Sequence, residues 1–74
     1  MTEIRSEMTG TVFKILVFEG HRVKSEEHIL LLESMKMELP VSSPHAGKIT
    51  KMAVQEGDLV QEGDLLAVVD GEQE

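Results

Sequence analysis

Residues 10–23, GTVFKILVFEGHRV, recur as GKITKMAVQEGDLV at residues 47–60, a step of 47 − 10 = 37. The match runs without a gap from Gly10–Glu33 onto Gly47–Asp70. Gly10/Gly47, Lys14/Lys51, Val17/Val54, Glu19/Glu56, Gly20/Gly57 and Val23/Val60 are identical pairs. Val12/Ile49, Ile15/Met52, Ile29/Leu66 and Leu32/Val69 exchange one apolar residue for another. Such self-similarity indicates one supersecondary unit used twice, the two copies burying their apolar faces together.

Each copy reads as short strands divided by turns. Thr11–Phe18 is rich in β-branched and aromatic residues and stops at Glu19-Gly20; Lys48–Val54 stops at Glu56-Gly57-Asp58. Glycine there supplies the positive φ that a tight turn needs. Ile49, Met52 and Val54 break strict alternation, which predicts a bulge in that strand. Brief segments follow at Val23 and Val60, then strands Ile29–Glu33 and Leu65–Asp70. Glu62-Gly63-Asp64 forms a further turn, whereas the first copy places Glu26 at the glycine position. Met37–Ser43 is another strand, with Pro40 confining it to a sheet edge, and Ser43-Pro44 leads extended into the second copy. The expected fold is all-β: a flattened antiparallel barrel or sandwich of two quasi-symmetric four-strand halves.

A chain of 74 residues holds a single domain, 1–74, with its core at about 6–70. Only about 60% of the unfolded surface is buried at this size, too little for the walls of a large catalytic cleft. A carrier or binding module is therefore favoured over an enzyme. With 41% hydrophobic residues the chain is expected to fold, leaving only Met1–Glu3 and Gly71–Glu74 unordered. A net charge of −7 disfavours nucleic acid and anionic membranes and suits a basic protein partner. The longest apolar run, Leu65–Val69, is far short of a bilayer span, and no secretory signal is visible. The absence of cysteine is compatible with a reducing compartment, and with no signal or span visible a cytoplasmic location is expected, with a monomeric state.

Between the copies, Ser34-Met35-Lys36-Met37 separates strand Ile29–Glu33 from strand Glu38–Ser43, spacing that closes a hairpin without the usual Asn-Gly or Asp-Gly. Lys36 would then project from a rigid tip. Met35 and Met37 flank it, and two thioethers in water bury nothing; methionine is common on adaptable recognition surfaces. An arbitrary Met-Lys-Met is more often a solvated lysine between methionines folded onto the core.

The segment Glu33-Ser34-Met35-Lys36-Met37-Glu38 closely resembles the Glu-Ala-Met-Lys-Met-Glu attachment motif of biotin carboxyl carrier (biotinyl) domains, in the biotin/lipoyl attachment family. Gly10-Thr11-Val12 through Glu19-Gly20 and Val23 resembles that family's first half. Gly47-Lys48-Ile49 through Glu56-Gly57-Asp58, Val60 and Glu62-Gly63 resembles its second half, so the likeness covers about Ser6 to Asp70. Ser34 replaces the usual alanine; Glu7 and Thr9 replace prolines, and Glu26 replaces a turn glycine. No insertion resembling the protruding thumb of some acetyl-CoA carboxylase carriers is present.

The resemblance implies covalent biotin on Lys36, added by a biotin-protein ligase that reads Met35 and Met37. It implies carboxyl transfer between biotin carboxylase and carboxyltransferase partners, with no catalytic residue of the domain's own. Lipoate is the rival cofactor, alone or alongside biotin; lipoyl domains usually carry an acidic residue before the lysine and lack both methionines. An unmodified interaction module is the third reading. Hydrolase or metal chemistry fares worst: Glu26-Glu27 lies in a turn, and His21, His28 and His45 lack metal-ligand spacing.

Overall fold

The computed structural model describes residues 1–71. Eight strands follow in chain order: Thr2–Arg5 (β1), Gly10–Ile15 (β2), Arg22–Val23 (β3), His28–Ser34 (β4), Met37–Ser42 (β5), Gly47–Met52 (β6), Leu59–Val60 (β7) and Leu65–Gly71 (β8). They build two antiparallel sheets, ordered β1-β8-β6-β3 and β5-β4-β2-β7, with no helix among the described residues. A step of 37 residues exchanges β1 with β5, β2 with β6, β3 with β7 and β4 with β8. One sheet order thus becomes the other, and the all-β sandwich of two quasi-symmetric halves is what forms.

The equivalence holds at the level of single hydrogen bonds. Gly20 N–H donates to Ile49 O at 2.7 Å, and its counterpart Gly57 N–H donates to Val12 O at 2.8 Å. A carboxylate from each half caps the other: Glu56 Oε2 accepts from Ile15 N–H and Glu19 Oε2 from Met52 N–H, both at 3.0 Å. The halves are therefore interlocked. Ile29, Leu30, Leu32, Ile49, Leu66 and Val69 fill the space between the sheets. Each such side chain contributes roughly 1.5–3 kcal/mol by leaving water.

The bulge read from Ile49 and Met52 is present between Ile49 and Lys51, and its twin lies between Val12 and Lys14. These bulges also shorten the expected strands. β2 stops at Ile15 and β6 at Met52, so Leu16–Phe18 and Ala53–Val54 belong to connections. Val17 and Val54 still reach the core from there. Pro40 sits in β5 at a sheet edge, as its missing N–H requires.

The N-terminus departs from the expectation of disorder at Met1–Glu3. Thr2–Arg5 pairs with β8, matching Thr2 to Val69 and Ile4 to Ala67. The segment Thr-Glu-Ile-Arg has one apolar residue, which is enough because an edge strand packs a single side chain, Ile4, inward. At the other end Gly71 closes β8, also against expectation, since it pairs with Gly47. The remainder of the expected disordered tail, 72–74, lies outside the described residues. Glu26, in the glycine's place, adopts φ +68°, close to the +91° of its counterpart Gly63. The turn forms in the left-handed region without glycine.

Candidate functional site

β4 and β5 pair along their whole length, through Leu30/Val41, Leu32/Leu39 and Glu33/Glu38 to Ser34/Met37. The loop is therefore two residues long, Met35 and Lys36, where sequence spacing had implied four. Both have positive φ, +53° and +65°. Two consecutive left-handed residues define the type I′ turn whose twist matches paired strands. Asn-Gly usually fills it; here a methionine and a lysine do, at a cost of roughly 1–2 kcal/mol for each non-glycine residue. Backbone strain of this kind collects at functional positions.

The three residues expected at the site come together at this tip. Met35 is 91% exposed and Met37 59%, so the methionines do not fold back onto the core. Lys36 is exposed, and among the described residues its ammonium has no hydrogen-bond or ion-pair partner. None of the described residues holds or buries the amine. The arrangement offers a primary amine to another protein, with no acid or base of the described residues in contact with it. A group amide-linked to Nζ would displace no existing contact, so the site fits covalent attachment.

The tip occupies one pole of an elongated body measuring 40 × 17 × 17 Å. β2 begins beside it, with Thr11 paired to Glu33. At the far ends of β4 and β5, His28 pairs with Ser42. The chain crosses there to β6, whose Gly47 pairs with Gly71. Thr2 pairs with Val69 at that same pole. The first and last strands thus meet at the pole opposite Lys36.

The remaining titratable candidates are used locally. Glu27 Oε1 accepts from Lys24 N–H at 2.9 Å, and Oε2 lies 3.4 Å from His21 Nε2. The Lys24 N–H bond outweighs the opposing desolvation and, with His21 and the Lys24 charge adding to it, holds the Glu27 carboxyl below the usual glutamate range. Half-buried His45 joins Thr2 Oγ1, 2.7 Å from its Nε2, to Ala46 O, 3.0 Å from its Nδ1. It ties β1 to the crossover and was not singled out from sequence for that role, since its partner Thr2 is 43 residues away.

Comparison with known proteins agrees with this geometry. Residues 1–69 match the biotin/lipoyl family model, described as "Biotin-requiring enzyme". A "Biotinylated protein TB7.3 homolog" from Mycobacterium leprae is 42% identical over 67 residues, covering 90% of this chain and 94% of that protein. Pyruvate carboxylase of Aspergillus niger is 38% identical over 92% of this chain, but the chain spans only 6% of that enzyme. The crystal structure of Kluyveromyces lactis urea carboxylase contains a matching unit with a TM-score of 0.88 and 33% identity; it covers 93% of this chain and 6% of that one. With its interlocked half-barrels and free hairpin lysine, the chain belongs to the biotin/lipoyl attachment family, as a biotin carboxyl carrier domain.

Proposed function

We propose that Lys36 carries biotin as an amide and presents it by turns to a biotin carboxylase and a carboxyltransferase. The observation that carries this reading is the type I′ turn at one pole of the domain, holding a lysine that has no partner among the described residues. When bound, biotin supplies the carboxyl-carrying chemistry, and the substrates of the partner enzymes set what is carboxylated. Lys36 Nζ, stripped of a proton by a biotin-protein ligase, attacks an activated biotin carboxyl carbon. The new C–N bond forms as the C–O bond to the leaving group breaks, and a second proton leaves the nitrogen. Met35 and Met37, exposed on either side, are the apolar contacts by which the ligase distinguishes Lys36 from the other lysines. Thereafter the domain orients the modified side chain and adds no catalytic group.

Intact mass of the protein co-expressed with a biotin-protein ligase tests the reading. A single biotinyl increment is expected on the wild type and none on Lys36→Arg, with unchanged thermal melting. A lipoyl increment instead assigns the rival cofactor. Biotin retained by Lys36→Arg removes Lys36 as the attachment point.

A further inference from the structure

Met35 and Lys36 hold positive φ against their own preference, so the tip keeps its shape only where its surroundings impose it. The outer side of the hairpin supplies little of that. Among the described residues β5 is an edge strand with β4 as its one neighbour, and Met37 and Glu38 are exposed. Glu33 and Glu38 stand directly opposite each other, an arrangement that like charges disfavour. Support has to come across β4 from β2, whose Thr11 pairs with Glu33.

Gly10, buried at the start of β2, is where that support comes closest. Its φ is not positive, so backbone conformation does not call for glycine there. Space does. A Cβ on Gly10 would stand 2.8 Å from Glu33 O and 3.6 Å from both the Glu33 carbonyl carbon and Ser34 Cβ. Glu33 O belongs to the backbone, which cannot swing aside as the end of a side chain can. The start of β2 thus lies against the Glu33–Ser34 peptide, one residue short of the Met35-Lys36 turn. The second half of the chain repeats this crossing at the opposite pole. A Cβ on Gly47, the counterpart of Gly10, would meet Asp70 O at 2.5 Å and Val69 Cγ1 at 2.8 Å. Asp70 is in turn the counterpart of Glu33. At that pole the crossed strand is β8, far from Lys36.

We propose that Gly10 is a positioning residue for Lys36: carrying no side chain, it lets β2 back the base of the hairpin, and that backing fixes the direction in which the amine is offered. This rests on the carrier reading above. With alanine at position 10, either β2 or the Glu33 carbonyl must retreat, and the strained turn is left to the β4–β5 pair alone. The fraction of molecules that present Met35, Lys36 and Met37 in one geometry then falls. Apparent affinity for an enzyme that reads the tip falls in the same proportion.

The test sets Gly10→Ala beside Gly47→Ala. A purified biotin-protein ligase with biotin and ATP takes each unmodified domain as substrate, well below the melting temperature of either. Gly47→Ala, with the closer contacts, is expected to lose at least as much Tm and to keep KM and kcat near the wild-type values. Gly10→Ala is expected to raise KM for the domain about fivefold or more with kcat nearly unchanged. Trypsin cleavage after Lys36, read by mass, is expected to accelerate about as much in Gly10→Ala and to hold the wild-type rate in Gly47→Ala. KM and cleavage that follow Tm in both variants, or that move in neither, overturn the proposal. Should Gly10→Ala not fold, amide exchange on the wild type decides. Met37 N–H, at the tip, is expected to exchange within about tenfold of Leu39 N–H farther down β5, and faster exchange overturns the proposal. Absence of any biotin increment on the wild type overturns the carrier reading instead, and the cleavage comparison then judges Gly10 by itself.

Discussion

Ser6 and Ser43 hold one structural position twice. Both are buried, and each hydroxyl donates to the carbonyl two residues ahead, Met8 O and His45 O, at 2.6 Å. Their backbones repeat the equivalence: Gly63 N–H donates to Ser6 O at 2.8 Å and Glu26 N–H to Ser43 O at 2.7 Å. Removing either hydroxyl leaves a partly buried carbonyl short of a partner. Ser6→Ala and Ser43→Ala should each cost about 1 kcal/mol, lowering Tm by roughly 4–8 °C. Thermal melts that show only one of the two serines mattering would break the equivalence.

The hairpin turn trades stability for presentation of the amine. Met35→Asn/Lys36→Gly installs the residues a type I′ turn prefers and should stabilise the fold by roughly 2 kcal/mol while abolishing attachment. Urea midpoints and intact mass check the two halves of that expectation. A lower midpoint would show that Met35 and Lys36 are not strained.

Glu26 and Gly63 make the same comparison away from the site. Glu26→Gly should add about 1 kcal/mol by relieving the left-handed conformation, and Gly63→Ala should cost about as much. No atom outside the turn would meet a Cβ at Gly63 within 4 Å, so the second change isolates backbone strain. Denaturant titration of both variants reads the pair.

Glu27 gives the domain an acid-sensitive contact. Its carboxyl protonates below the usual range because the charged form accepts from Lys24 N–H and faces His21. A folded-state value below the unfolded one means stability that is fully present above the ordinary glutamate range, about 4.3, and lost as pH falls through the folded value. Glu27→Gln should therefore flatten the pH dependence below about pH 4.3. A pH series of melting temperatures decides it.

The repeat made most of the architecture legible, because Glu19/Glu56 and Gly20/Gly57 mark turns, and Gly10/Gly47 strand starts, that hydrophobic pattern alone would blur. β1 was not legible. It aligns with β5 at the same step of 37, yet Ser6/Ser43 is the only identity nearby, and one inward Ile4 makes no pattern. The bulge was readable as a break in period at Ile49 and Met52, but its effect on strand length was not, since that depends on where Leu16 N–H finds Ile29 O at 2.9 Å. At the site, the residue types identified Lys36, Met35 and Met37. The turn type stayed hidden, because neither Met35 nor Lys36 favours positive φ and only the pairing of Ser34 with Met37 imposes it.

Placing Lys36 and the meeting point of β1 and β8 at opposite poles turns the whole domain into a lever. Any segment joined near Thr2 or Gly71 would act as a pivot, and pivoting swings the amine along an arc whose radius approaches the 40 Å length of the body. One molecule confined to a volume of that radius corresponds to a millimolar effective concentration at each site within reach. The strands themselves then set the distance over which cargo travels.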